Sequence, residues 1–425
     1  MSPQAITTQA VTQAAALHRA FSLPIDEVDP SHPELFASDT VHHYFARLRR
    51  DDPVHWAESP LYGGYWSVTR YQDIMAVDTN HQVFSSHWSR GGITIVDQPK
   101  AYPRKSFIAL DPPEHSEPRK AVSPIVAPAN LMNLEPLIRE RTARVLDGLP
   151  RDETFNWVDR VSVELTTMML ATLFDFPFED RKLLPWWSDV IASFPEVGDT
   201  SVVPTLEAKQ TEIGRMAETF GLLWNERVDQ PPRGDLISML IHNPATRYMT
   251  PEQFVGTIGL LIVGGNDTTR NSMSAGLLAL NESPDQCDKL RANPALIESL
   301  VPEIIRWQTP LAHMRRTAVQ DFELGGKTIR VGQKVVMWYL SGNRDSSAIE
   351  NADNFIIDRA RPRQHLSFGF GVHRCVGNRL AELQLRVLWE EILKRCPRIE
   401  VVGPAVRLAN PIVRGITELP VRIPA

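Results

Sequence analysis

Residues 250–281 constrain the fold most strongly, because their pattern is that of a single helix about thirty residues long. Thr250 is a capping residue, Pro251 takes the first helical position, and Gln253 follows the cap by three residues. The segment is apolar nearly all round, and Pro284 follows as a stop. A helix of this kind is expected to be buried across the middle of the molecule.

The centre of this helix, residues 264–269, departs from the apolar pattern and reads Gly-Gly-Asn-Asp-Thr-Thr. Each glycine costs a buried helix about 1 kcal/mol relative to alanine. Thr268 lies four residues after Gly264, so its hydroxyl can bond the Gly264 carbonyl and open the helical ladder into a small polar groove. Asp267 is then positioned to relay protons from solvent. The alternative is a helix–helix contact made by small residues, with Asp267 exposed.

A second unusual stretch, residues 367–378, crowds three glycines around Cys375 and precedes another helical pattern. Glycine lets a loop wrap tightly around the sulfur, and the positive end of the following helix favours thiolate over thiol. A thiolate held in this way is suited to binding a metal on its open side. The alternative is a glycine-rich turn in which Cys375 is an inert, small hydrophobic residue.

A third pattern pairs Glu303 with Arg306 on a predicted helix. An acid and a guanidinium three residues apart share one helix face, and most such pairs are solvated and contribute less than about 1 kcal/mol. Apolar neighbours on both sides predict partial burial here. A buried pair needs further partners, and Arg359, ahead of the cysteine loop, is the candidate.

Composition narrows the class of protein. The chain has 425 residues, a formal net charge of -6 and three cysteines. An acidic balance argues against nucleic acid or an anionic membrane surface as the main partner. Three sparse cysteines do not make a disulfide framework, which favours a reducing cytoplasm. No run approaches the roughly 18 apolar residues that a membrane span needs, and the N-terminus lacks the features of a secretory signal.

The order of patterns along the chain predicts a mainly α fold with a smaller β portion. We expect residues 1–30 to be loosely ordered, apart from a short helical run near residues 14–21, and residues 31–425 to form one domain. Residues 54–68 are typical of a hairpin, and residues 322–340 return to strand-like alternation, so the β portion combines early and late segments. Helices are predicted at 131–149, 158–173, 180–193, 204–228 and 236–242.

Taken together, the motifs resemble those of the cytochrome P450 superfamily. Phe368-x-x-Gly371-x-His373-x-Cys375-x-Gly377 is similar to the haem-binding loop of that family. The run at 264–268 resembles its oxygen-activation motif, and the Glu303/Arg306 pair resembles its structural pair. All three occur in the family's order and spacing, so the resemblance covers most of the chain and implies the P450 fold, with the long helix over the haem.

The resemblance also implies roles for individual residues. Cys375 would ligate the iron of haem b, Asp267 and Thr268 would deliver protons, and Glu303, Arg306 and Arg359 would frame the site. His373 stands where many members have arginine, and Gly264 where alanine is common; neither change removes the expected function. The expected cofactor-binding set is His115, Arg119, Arg316, His365, Phe368, Gly369, His373, Cys375 and Gly377, with His365 the weakest candidate.

The activity implied is a monooxygenase that inserts one atom of O2 into an unactivated C–H bond. Residues 264–274 and 365–375 are most similar to the bacterial branch, family 153, that hydroxylates the terminal carbon of alkanes and medium-chain fatty acids. Terpene or steroid side chains are the alternative substrates, and a non-catalytic haem sensor is the alternative class. The positions expected to line the substrate pocket are small or apolar: Ile93, Ile95, Leu260, Val263, Gly264, Leu311, Ala312, Met314, Ile412 and Val413.

The chain contains no flavin or iron–sulfur motif, so the resemblance implies separate electron donors, a ferredoxin and its reductase. Four basic side chains are expected on or near the thiolate side, where an acidic partner would dock. They are Lys120, Arg374, Arg379 and Arg386. For Arg379 and Arg386, solvated surface charges are the equal alternative.

Overall fold

The computed structural model describes residues 3–99, 101–396 and 398–425. Its helices are α1 (Pro3–Ser22), α2 (Pro33–Ala37), α3 (Val41–Asp51), α4 (Tyr71–Asp78), α5 (Ser116–Val122), α6 (Pro128–Asp147), α7 (Glu164–Phe174), α8 (Leu183–Ala192), α9 (Leu206–Arg227), α10 (Leu236–His242), α11 (Pro251–Glu282), α12 (Pro284–Ala292), α13 (Ile297–Gln308), α14 (Tyr339–Gly342) and α15 (Asn378–Arg395).

Helix α11 is the predicted long helix, and it begins as the sequence indicates. The Thr250 hydroxyl accepts a hydrogen bond from the Gln253 amide, while the Gln253 side chain accepts one from the Thr250 amide, which completes a capping box. Helices α7, α8, α9, α13 and α15 pack around it. A Cβ on Gly276 would lie 2.7 Å from Ile304, so this glycine lets α13 approach closely. The expected burial of α11 across the molecule is confirmed.

The β portion combines segments from both ends of the chain, as predicted. The largest sheet has the order β1-β2-β8-β5-β3, in which only β2 and β8 run parallel. Val54 pairs with Val68 in the predicted hairpin of β1 and β2. The strands are β1 (Val54–Ser59), β2 (Gly63–Val68), β3 (Phe84–Ser85), β4 (Thr154–Asn156), β5 (Met314–Ala318), β6 (Phe322–Leu324), β7 (Lys327–Ile329), β8 (Lys334–Met337), β9 (Glu400–Val401), β10 (Val406–Arg407), β11 (Ile416–Glu418) and β12 (Pro420–Arg422).

The N-terminal segment is more regular than expected. Helix α1 is far longer than the predicted run at 14–21, because it docks on α3. His43 and Gln13 form a hydrogen bond of 2.7 Å, and Arg47 donates to the Phe21 carbonyl at 2.7 Å. Ala20 is fully buried in a small cluster at this contact. The division of the chain at residue 30 stays a prediction, and Met1 and Ser2 lie outside the described residues.

One other local difference is small. Residues Val158–Val163 form a π-helical turn that leads directly into α7, where the sequence predicted one continuous helix. Within the described ranges, no helix has both the length and the apolar content that crossing a membrane requires.

Candidate active site

A cavity of about 700 Å³ lies between the middle of α11 and the cysteine loop. Gly264 and Thr268 line it from α11, and Phe368, Cys375 and Gly377 line it from the loop. The two motifs with the most unusual sequences, more than a hundred residues apart, therefore face each other across one space. This meeting of the two motifs makes the cavity the candidate active site.

The cysteine loop bends tightly at its glycines. Gly369 and Gly371 have φ values of 62° and 65°, which favour glycine. A Cβ on Gly371 would lie 2.6 Å from the Asp78 carbonyl oxygen, so the loop and α4 touch through backbone atoms. The Cys375 amide donates to the Phe368 carbonyl at 2.8 Å and closes the loop. The predicted wrapping of the loop around the sulfur is present.

The pKa of Cys375 is raised, whereas the sequence predicted that the loop and the following helix would favour the thiolate. Burial raises the pKa of the thiol, and the amides of Gly377 and Asn378 together with Arg119 and Arg374 oppose the rise only in part. The start of α15 therefore lowers the pKa as predicted, but it does not make the free cysteine a thiolate. A coordinated metal deprotonates a thiol outright, so a metal bound at Cys375 would convert it to the thiolate.

The groove on α11 is open where the sequence predicts. The Thr268 hydroxyl donates to the Gly264 carbonyl at 3.3 Å. A Cβ on Gly264 would meet nothing within 4 Å, whereas one on Gly265 would lie 2.7 Å from Leu170. The first glycine thus leaves room toward the cavity, and the second permits the packing of α7.

Asp267 is buried, which excludes the alternative in which it is a solvated side chain. It is 1% exposed, and its Oδ1 lies 3.0 Å from the Ser188 hydroxyl and 3.1 Å from Arg270. Its Oδ2 is buried without a hydrogen-bond partner among the described residues. Burial raises the pKa of this carboxyl, and Arg270 opposes the rise. Arg270 also bonds Asp189 at 2.6 Å, and the Asp189 side chain is 38% exposed. A chain of polar groups therefore runs from solvent to Asp267.

The Glu303/Arg306 pair is fully buried and completely bonded, whereas the sequence predicted only partial burial. Arg306 Nε and Nη2 donate to the two Glu303 oxygens at 2.7 and 2.8 Å. Arg359 Nε donates to the same carboxylate at 2.9 Å, which confirms the third partner. Arg306 also donates to the carbonyls of Asn343, Ala352 and Asn354. This network fixes the segments that lead into the cysteine loop.

Comparison with known proteins identifies the arrangement. Residues 223–401 match the family described as Cytochrome P450. Linalool 8-monooxygenase from Pseudomonas putida is 35% identical over 93% of this chain and 98% of its own length. The chain belongs to the cytochrome P450 family. A methyl-branched lipid omega-hydroxylase from Mycobacterium tuberculosis is 32% identical to this P450 over 89% of the chain and 90% of its own length.

Solved structures place the P450 near one branch of the family. Cytochrome P450-153 from Novosphingobium aromaticivorans superposes with a TM-score of 0.86 at 44% identity, covering 93% of this chain and 99% of that one. CYP153D17 from Sphingomonas sp. PAMC 26605 gives 0.88 at 46% identity, covering 95% and 100%. Family members bind haem b through a cysteine thiolate, and this P450 is an oxidoreductase of that kind.

The residues around the cavity fit such a group. Cys375 lies in the cavity wall, so its side chain is open to the cavity while the surrounding protein desolvates it. The rings of His115 and His373 lie 4.4 Å apart, and all four of their nitrogens are buried without partners among the described residues. Burial lowers the pKa of His115 to about 4 and that of His373 further. Unsatisfied donors are costly in a buried site, and haem propionates would supply the missing acceptors.

Two arginines lie on the same side of the cavity. Arg119 lines it and donates to the Arg374 carbonyl. Arg316 lines it and donates to Asp78 at 2.7 Å. His365 does not line the cavity; its ring packs against Phe368, and burial lowers its pKa to about 3. His115 does not line the cavity either, but its ring contacts His373, which does. His115, Arg119, Arg316 and His373 are therefore the propionate ligands that we propose, and His365 is not brought to the site.

Sequence reasoning missed Asp78, which connects three parts of the site. Its carboxylate accepts from Arg316, from the Tyr339 hydroxyl at 2.8 Å and from the Phe370 amide at 2.8 Å. Asp78 thus ties the last turn of α4 to the cysteine loop and to strand β5. The sequence gives no signal for this, because the partners lie hundreds of residues away.

Most of the predicted pocket positions line the cavity, and two do not. Ile95 and Ala312 are fully buried in a core cluster with Trp338. The Ile95 amide donates to His313 at 3.1 Å and the Ala312 amide donates to the Ile412 carbonyl at 2.9 Å, which turns both side chains into the core. The positions that do line the cavity are Ile93, Leu260, Val263, Gly264, Leu311, Met314, Ile412 and Val413.

Proposed function

We propose that this P450 hydroxylates the terminal carbon of alkyl chains, namely n-alkanes or medium-chain fatty acids. The observation that carries the proposal is the apolar wall beside the open groove. Leu260 and Val263 from α11, Leu311 and Met314 from the segment around β5, and Val413 all line the cavity that holds Cys375. Apolar walls orient a hydrocarbon chain and exclude water from the reacting end.

The similarity to family 153 structures and to a lipid omega-hydroxylase supports this choice. The second candidate is a terpene or a steroid side chain, favoured by the linalool 8-monooxygenase and the steroid C26-monooxygenase of Rhodococcus jostii among the relatives. A role as a non-catalytic haem sensor accounts for fewer of the observed features, because a sensor needs neither the groove on α11 nor a buried acid that is connected to solvent.

Haem held by a cysteine thiolate supplies the oxygen chemistry when it is bound. The protein side chains supply the protons. Asp267, whose pKa is raised by burial, can hold a proton at Oδ2, and Thr268, the next residue of α11, lines the cavity with it. Arg270 and Asp189 connect Asp267 to solvent and allow it to be recharged. We assign proton delivery to Asp267 and Thr268 on this arrangement.

Electrons would come from a ferredoxin and its reductase. Among the four basic residues proposed for docking, Arg386 is committed to Glu135 at 2.7 Å and to Glu390 at 2.9 Å, and Lys120 bonds Glu117 at 2.7 Å. Arg374 and Arg379 are exposed beside Cys375, and neither forms an ion pair with any described residue. These two arginines are therefore the contacts that we propose for an acidic partner.

The experiment is a panel of n-alkanes, fatty acids, acyclic terpenes and steroids tested for a type I spectral shift and for product. We expect alkyl chains to give the shift and to be hydroxylated at the terminal carbon. Product should form only when a ferredoxin and its reductase are added. Binding restricted to terpenes or steroids, or hydroxylation at internal carbons, would contradict the proposal.

A further inference from the structure

One charged side chain in the cavity has no assigned role, and it lies away from the cysteine loop. Arg104 lines the cavity, and its Nη1 donates to the Ile191 carbonyl at 3.2 Å, near the end of α8. Ile191 in turn lies 3.1 Å from the position of a Cβ on Gly259 of α11. Arg104 is therefore level with the first half of α11, while Cys375 faces its middle.

Arg104 is half-buried in the cavity wall and has no acidic partner among the described residues. No carboxylate oxygen of the described residues lies within 4.0 Å of it. Burial lowers its pKa, and only the more distant charge of Glu196 opposes this. Glu196 lines the same end of the cavity but is exposed to solvent. The guanidinium donors of Arg104 that Ile191 does not use can bind an acceptor that enters the cavity from outside the chain.

The other charged side chains near Arg104 already have partners within the protein. Asp97 bonds Arg315 and Lys334, and Arg316 bonds Asp78. Lys209 is fully buried, donates to the Ser193 carbonyl, and lies 4.7 Å from the centre of the Phe194 ring. Burial lowers the pKa of Lys209 to about 6, and Lys209 does not line the cavity. Among the described residues that line this end of the cavity, Arg104 is the cation without an ion-pair partner.

We propose that Arg104 binds the carboxylate of a fatty acid whose far end reaches the groove beside Thr268. The inference rests on the proposed function and narrows it from alkyl chains in general to chains with a carboxylate head. An alkane offers no acceptor to the guanidinium, whereas a carboxylate can accept two parallel hydrogen bonds from it. The apolar side chains between the two ends suit the hydrocarbon portion.

The distance along α11 between the level of Arg104 and Thr268 determines which length of fatty acid fits. Gly259 and Thr268 are nine residues apart, which is about 14 Å along a helix at 1.5 Å per residue. An extended chain advances about 1.2 Å per bond, so about eleven or twelve bonds span that distance. Dodecanoic acid is therefore the probe of choice, and shorter acids should leave the terminal carbon short of the groove.

The test measures binding of three matched chains to the haem-loaded enzyme: dodecanoic acid, its methyl ester and dodecane. Dissociation constants come from spectral titration and, independently, from calorimetry. For wild type, we expect the acid to bind most tightly. Arg104→Gln should weaken binding of the acid by about tenfold to a hundredfold, because a charge-assisted hydrogen bond is lost, and should leave the ester and the alkane unchanged. Arg104→Lys should restore part of the loss.

Arg291→Gln is the matched control, since Arg291 is exposed on α12 and does not line the cavity. Equal losses for acid and ester in Arg104→Gln, or no loss for either, would overturn the inference while leaving terminal hydroxylation intact. A wild-type enzyme that binds none of the three chains would overturn the proposed function and this inference together. Wild type alone supplies a further comparison: if dodecanoic acid binds no more tightly than its methyl ester, the inference is overturned even where a variant fails to fold.

Discussion

Replacing Glu303 by glutamine is expected to lower the free energy of unfolding by about 3–5 kcal/mol, the cost of removing one partner from a buried ion pair. The change keeps the shape of the side chain and removes its charge. Arg306 and Arg359 would then be left in a site that is closed to solvent, since the Glu303 and Arg306 side chains are 0% and 1% exposed. Chemical denaturation of the full chain measures the loss, and haem content reports whether the cysteine loop is still held.

Glu382→Gln is the control for this result. Glu382 pairs with Arg363 at 3.2 Å, and the arginine is largely exposed, so the variant should change stability by no more than about 1 kcal/mol. A domain is stable by only about 5–15 kcal/mol, so the two variants should differ clearly. If Glu303→Gln is as stable as the control, the network around Glu303 does not frame the site.

Asp267→Asn is expected to lower product formation about a hundredfold or more, the usual contribution of a positioned proton donor. Asparagine retains an oxygen for Ser188 and Arg270, so packing should persist, but it has no proton to release. The measurement is turnover on a bound chain at equal haem content. Asp358→Asn serves as the control, because Asp358 forms an exposed pair with Lys289 on the surface.

Thr268→Ala tests the role of Thr268 separately from the role of Asp267. It leaves Asp267 in place and removes the hydroxyl that bonds the Gly264 carbonyl. We expect this variant to consume reductant without the matching amount of product. Unchanged turnover in Asp267→Asn, or unchanged coupling in Thr268→Ala, would contradict the proton-delivery role.

The parts of the site that the sequence predicted correctly depend on residues close together in the chain. The capping box at Thr250, the bond from Thr268 to the Gly264 carbonyl and the Glu303/Arg306 pair all join residues three or four positions apart on one helix. Helical geometry alone brings such residues together, so no knowledge of the tertiary fold is needed. The long helix is predictable for the same reason, since its apolar pattern is continuous.

The parts that were missed depend on tertiary packing. Asp78 meets Phe370 across 292 positions, and Ser188 meets Asp267 across 79, so neither contact has a local signal. Arg270 had a signal, because it follows Asp267 by three residues and can pair with it on one face. Ile95 and Ala312 were placed in the pocket wrongly, because an apolar residue next to a pocket position can equally point into the core.

The protonation state of Cys375 also could not be predicted from the sequence. The start of α15 and the neighbouring arginines act on the sulfur as expected, but the effect of burial is larger and can be weighed only in the folded protein. The role proposed for Arg104 could not be predicted from the sequence either. Its position in the chain is that of an ordinary loop arginine, and only the cavity reveals that it lacks an acidic partner.

The most direct test of the account is the absorption spectrum of the purified full-length protein, reduced and treated with carbon monoxide. With Cys375 as the iron ligand, wild type should show the strongly red-shifted Soret band of thiolate ligation, and Cys375→Ser should lose it. A wild-type protein that binds haem without the red-shifted band, or a Cys375→Ser variant that keeps it, would contradict the assignment of Cys375 and the site built around it.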